Sequence, residues 1–174
     1  MNIRAIAYTI MQALHQEVNK AVNLIIKQND EAIYIEKIDT HQKVRLYTAI
    51  GRRSPLYAGA CSRAILSFLP DTEIDDYLDS IELISFGRGS ITDKTQLRET
   101  INQARIDGYT VSHSELENHT SAIAAPIFDH KGDVIAGISV AGIEANYQGE
   151  KIQYFAEKTL EAAKKISMHL GHDE

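Results

Sequence analysis

SAIAAPIFDHKGDVIAGISVAG, residues 121–142, sets two runs rich in Ile, Val and Ala on either side of His130-Lys131-Gly132-Asp133. That quartet suits a tight turn, and the runs it joins read as the arms of one long β-hairpin. Strands joined in this way are antiparallel, whereas parallel pairs need a long crossover connection.

The same signature recurs on moving outward. AVNLIIK and EAIYIEKI flank Gln28-Asn29-Asp30, so residues 20–38 read as a second hairpin. KVRLYTAIG, ending at Gly51, reads as a third strand, and TVSH (110–113) as a short one before the long hairpin. Helical spacing marks the remainder. Ile3, Ile6, Ala7, Ile10, Met11, Leu14 and Val18 share one stripe of a helix ending near Asn19. Asp71 suits the N-cap of a short helix closing near Ser80. Asp93 suits the cap of another, with Leu97, Ile101, Ala104 and Ile106 on its inner face and Gly108 as its stop. Ile152, Phe155, Ala156, Thr159, Ala163, Ile166 and Leu170 mark a terminal helix that ends at Gly171. The order is helix, three strands, two or three helices, three strands, helix. Dominated by hairpins, it predicts an α+β layer fold with helices packed on an antiparallel sheet.

The 174 residues, 44% hydrophobic and 24% charged, suit a single domain with a core that needs no disulfide or metal staple. Acidic residues outnumber basic ones 24 to 18, giving a net charge of −6, and no Lys/Arg block offers a footprint for phosphates. Nucleic-acid binding by this stretch of chain is therefore not expected. The apolar runs are too short to span a bilayer, and the first residues lack the order of a signal peptide, so a cytoplasmic protein without membrane contact is expected. The single cysteine, Cys61, excludes an internal disulfide and any C-x-x-C site.

Chemistry is most concentrated in SPLYAGACSRAILSFLP, residues 54–70, where Gly59, Ala60, Cys61 and Ser62 crowd the start of a helix. Small residues there serve either close packing or the approach of a ligand to the helix's first amides. A catalytic Cys61 would gain from the helix dipole, but no His lies near it in sequence to act as base. In HSELENH, His113, Glu115, Glu117 and His119 alternate and would share one face of an extended segment as metal ligands. A polar, Asn-containing run between strands is more commonly a solvated loop, and no metal is expected. GRGS (87–90) lacks the phosphate-loop spacing and reads as a flexible connection, while G-x-S-x-G is absent.

Taken together, VNLIIKQNDEAIYIEKID, VRLYTAIGRRSPLYAGACSRAILSFLP, LRETINQARIDGYTVSHSEL and SAIAAPIFDHKGDVIAGISVAG resemble the effector-binding domain of IclR-type bacterial transcriptional regulators. The resemblance covers nearly the whole chain; its specificity lies in the order and spacing of motifs that are weak separately. It implies a GAF-like (profilin-like) fold, in which a curved antiparallel sheet and flanking helices enclose a pocket for a small, commonly anionic metabolite. No cofactor and no catalysis are implied.

Residue by residue, the family's anion-binding backbone falls on Ala60 and Cys61. Ser62-Arg63 stand where Gly-Lys is common, which keeps the cation. An acidic effector contact is replaced by Ser112, and a polar or thiol position by Ala122. Leu46, His113 and Ser139 are candidates to complete the lining. These replacements bear on which ligand binds, a small organic or sugar acid being expected. The resemblance also implies a homodimer or homotetramer and DNA contact through an N-terminal winged helix-turn-helix. No such domain is evident in residues 1–174, where residues 1–19 match the helix that follows it. The polypeptide thus reads as an excised C-terminal domain or, less simply, as a natural sensor lacking DNA binding. The competing reading is a GAF-like enzyme with Cys61 as redox or nucleophilic thiol, for which no resolving cysteine exists.

Overall fold

The computed structural model describes residues 2–40 and 49–173. Helix α1 spans Ile3–Val18; the Asn2 side chain accepts from the Arg4 N–H at its start, and Asn19 closes it in the left-handed region. Ala7, Met11, Leu14 and Val18, one per turn, are its buried stripe. Strands β1 (Ala21–Gln28) and β2 (Glu31–Ile38) form the expected hairpin around Asn29-Asp30. Residues 41–48 lie outside the described residues, so most of the run expected as a third strand, Leu46 included, is not described. The described third strand, β3 (Arg53–Pro55), lies beyond Gly51 and pairs with β2.

Three helices follow: α2 (Ala60–Leu66), α3 (Asp71–Ser80) and α4 (Lys94–Asp107). Asp93 caps α4 by accepting from the Thr95 and Gln96 N–H groups, and Gly108 ends it. Two local expectations are corrected. Pro70, with φ −55°, takes the N-cap position of α3, and Asp71 is the first helical residue, its carboxylate bound to Arg105 at 2.7 Å. Ile106 is 78% exposed rather than part of the inner face. It lies two residues past buried Ala104 and so points roughly 200° round the helix from it.

Strands β4 (Thr110–His113), β5 (Thr120–Phe128) and β6 (Val134–Ile143) complete the sheet, and a 3₁₀ turn (Glu144–Asn146) leads to α5 (Glu150–His169). Among the described residues six strands in the order β3-β2-β1-β6-β5-β4, all antiparallel, curl into a half-barrel.

The two sheet faces carry different side chains. Val22, Leu24, Ile123, Ile127, Ile138 and Val140 pack under α1 and α5 in one core. Ile25 and Ala124, with Ala122 at the edge, face α2 and α3 in the other. Period-two alternation produces the split. On the α2 side the register brings Asn23 opposite Ser139, Ser139 opposite Ala124, and Ala122 between Ala141 and Ser112. That row is small or polar, which leaves space above it.

Contact between α2 and the sheet is close at Gly137, where a Cβ would sit 2.9 Å from the Cys61 carbonyl oxygen. Because that oxygen belongs to buried backbone, Gly137→Ala should cost about 1–3 kcal/mol of stability through overpacking. Ile106→Ser on the exposed face of α4 should stay within about 0.5 kcal/mol of the parent. Urea unfolding of the two variants measures both effects, and equal midpoints would contradict the close approach.

Candidate functional site

All seven residues of α2 are buried, including Arg63, which is only 1% exposed. A charge in that position needs a complete set of partners. Its guanidinium grips Glu115 with both terminal nitrogens, one arm at 2.9 Å, and also donates to the Tyr57 carbonyl at 3.2 Å and the Val111 carbonyl at 2.9 Å. Among the described residues its Nε alone has no partner. Glu115, itself 7% exposed, accepts in addition from the Gly59 N–H at 3.2 Å. Gly59 (φ 82°) precedes α2 and has no side chain with which to cap it, so the cap comes from a carboxylate 56 residues away.

The loop after β4 is thereby pulled across the start of α2. Leu116 lies against Gly59, where a Cβ would meet its Cδ1 at 2.9 Å. Behind this loop runs GRGS, and the expectation of a flexible connection is corrected there. The Gly89 N–H donates to the Ser114 carbonyl at 2.8 Å, the Arg88 N–H to Asn118 Oδ1 at 2.7 Å, and the Ser90 hydroxyl to the Glu115 carbonyl at 2.8 Å. A Cβ at Gly89 would fall 1.9 Å from the His113 oxygen and one at Gly87 2.3 Å from that of Ser114. Glycine here permits backbone to lie on backbone.

Between α2, this loop and the small row of the sheet lies a small cavity of about 40 Å³. Of the residues singled out in the sequence, Ala60, Cys61, Ser112, Ala122 and Ser139 line it. Three others have different surroundings. Ser62 shares a 2.8 Å hydrogen bond with Ser54, Arg63 is consumed by Glu115, and exposed His113 bonds the Ser121 hydroxyl at 2.6 Å. The cation expected at the ligand is therefore a buried tie. Asn23, Tyr34, Arg52, Leu116 and Glu117 also line the cavity, and sequence reasoning had not placed them there. For Asn23 a signal existed: it is the polar exception in the apolar run AVNLII. Among the described residues no group of three or more His, Cys, Asp or Glu side chains could hold a metal, so HSELENH does not assemble as one.

This arrangement coincides with a family match. A family described as Bacterial transcriptional regulator IclR C-terminal matches residues 1–168. The chain belongs to this IclR family. It is the effector-binding domain of a transcriptional regulator. It is 55% identical over 172 residues to the HTH-type transcriptional regulator KipR of Bacillus subtilis, covering 99% of this chain and 69% of that one. The crystal structure of Thermotoga maritima IclR superposes with a TM-score of 0.95 at 32% identity, over 99% of this chain and 70% of that chain. An IclR homologue from Microbacterium hydrocarbonoxydans, complexed with 4-hydroxybenzoate, superposes at 0.86 with 25% identity, over 97% of this chain and 68% of that chain.

Within this IclR-type cavity Cys61 is a poor nucleophile. Burial pushes its thiol up to about 12, against a weaker opposing effect from the Ser139 hydroxyl. Burial likewise raises the Tyr34 phenol, with the neighbouring Cys61 and Glu117 reinforcing the rise and Arg52 opposing it.

Two outcomes follow from this geometry. Glu115→Ala leaves a guanidinium buried without its counter-charge and should cost about 3–5 kcal/mol, whereas Arg63→Met combined with Glu115→Leu should recover much of the loss. Chemical denaturation of the singles and the double measures the coupling; additive losses would contradict it. Iodoacetamide at pH 8 should modify Cys61 in the native protein about 1000-fold or more slowly than in urea, since the folded thiol lies three pH units above its ordinary 9.0. Comparable rates in the two states would show an accessible thiolate.

Proposed function

We propose that the cavity binds a small organic or sugar acid whose occupancy modulates DNA binding or assembly of the regulator. The observation that carries this reading is a cavity roofed by α2 and the loop after β4, above a row of small and polar side chains on the sheet. Ala60 and Cys61 bring the first amides of α2 to its wall, where a carboxylate is favourably placed. The 4-hydroxybenzoate complex of the Microbacterium homologue supports a carboxylic acid as ligand class.

The ligand acts by population shift: it favours one arrangement of a homodimer or homotetramer according to its differential affinity for the alternatives. DNA contact belongs to a separate winged helix-turn-helix segment of the cytoplasmic regulator, in line with the net charge of −6 here. The chemistry is binding without turnover.

A thermal-stability screen against small carboxylates, hydroxy acids, oxo acids and sugar acids tests this. A binder at about 100 times its Kd should add roughly 2.7 kcal/mol of stability. Ala122→Leu, which fills the half-buried floor, should abolish the shift while leaving the unliganded melting temperature near that of the parent. A broad panel without effect, or a ligand indifferent to both Ala122→Leu and Ala60→Leu, would reject the cavity as the effector site.

A further inference from the structure

The polar groups of the cavity are more specific than a general acid site requires. Asn23 and Tyr34 are 5% and 7% exposed, and neither side chain has a hydrogen-bond partner among the described residues. Both line the cavity, where their polar groups are available to a ligand with complementary polar atoms. Ser139, opposite Asn23 across the β1–β6 ladder, and Ser112 add hydroxyls to the same wall.

Charge is the second observation. Among the described residues, the acidic and basic side chains in the lining are Arg52, Glu115 and Glu117. Glu115 is spent on Arg63 and the Gly59 amide. Arg52 and Glu117 remain, one of each sign; both act on the Tyr34 phenol, and neither side chain is in an ion pair or hydrogen bond among the described residues. A ligand bearing only negative charge would meet Arg52 but also lie beside the like charge of Glu117 at the exposed rim, where the repulsion is softened by water but still unfavourable. A ligand with a charge of each sign meets both.

We propose that the effector is a small zwitterion of the α-amino acid class, its carboxylate answered by Arg52 and its ammonium by Glu117. Its remaining polar atoms meet Asn23, Tyr34 and the serines. The proposal rests on the cavity being the effector site and narrows what that site admits.

Matched ligands sharing a carbon skeleton test it: L-serine, L-glutamine and L-glutamate against the 2-hydroxy and 2-oxo acids in which the ammonium is replaced. Affinities are measured by calorimetry and melting shifts on the parent and on Glu117→Gln, an exposed position where the change is isosteric. At least one amino acid should bind about tenfold or more tightly than its hydroxy and oxo analogues, and Glu117→Gln should bring the set to within about twofold. Arg52→Gln should weaken all of them. Hydroxy or oxo acids binding as tightly as the amino acids would overturn the zwitterion while leaving the effector site standing. An amino-acid preference that survives Glu117→Gln would overturn the assignment of the ammonium. If no compound shifts the melting temperature, the zwitterion falls, and only the broader acid screen then decides the cavity itself.

Discussion

Arg63 lies inside a seven-residue helix with no exposed face, and the rest of the site is arranged around satisfying it. Its guanidinium joins three separate pieces of chain: the turn at Tyr57, the edge strand at Val111 and the loop at Glu115. Glu115 in turn caps α2 through Gly59, so one carboxylate neutralises the helix's buried cation and occupies its first free amide. Such a pair offers little net stability over apolar side chains of similar volume. What it supplies here is placement. With Glu115 held, Leu116 and Glu117 must stand over the start of α2, and the cavity acquires its second wall.

The first wall is the sheet, and its suitability comes from strand alternation. Along β5 and β6 the large residues Ile123, Ile127, Ile138 and Val140 go to the α1–α5 side, while Ala122, Ala124, Gly137, Ser139 and Ala141 go to the other. A one-residue slip in register would exchange these faces and fill the cavity with aliphatic side chains. The core beneath α1 and α5 therefore fixes the register on which the empty side depends.

Much of the fold could be read from local signals, because those signals act over a few residues. Asn19, Asp93 and Gly108 end or begin helices through contacts within one turn, and the two hairpins declare themselves in Asn29-Asp30 and Lys131-Gly132. The family resemblance added the pocket and five of its lining residues. Arg63, Ser62 and His113 escaped because their surroundings are set by partners far along the chain or across a ladder: Glu115 by 52 residues, Ser54 by 8 and Ser121 by 8. Glycines 87 and 89 were misjudged for a related reason. Glycine signals either freedom or close approach, and the distinction lay in the loop 25 residues away that presses on them.

A close helix–sheet contact and an open cavity wall, the two roles that small residues at 59–62 could serve, lie at opposite sides of the same turn of helix. The Cys61 carbonyl rests on Gly137, so α2 must sit low on the sheet there. Beyond that contact the sheet row continues through Ser139 and Ala141, and Ala60 and Cys61 face it across open space. A bulkier residue at 60 or 61 would lift the helix or fill the gap, and either change would also strain the grip of Arg63 on Glu115. Smallness thus serves the packing of α2, the volume of the cavity and the geometry of the buried pair at once. A ligand reaching these amides touches both walls that the pair holds together.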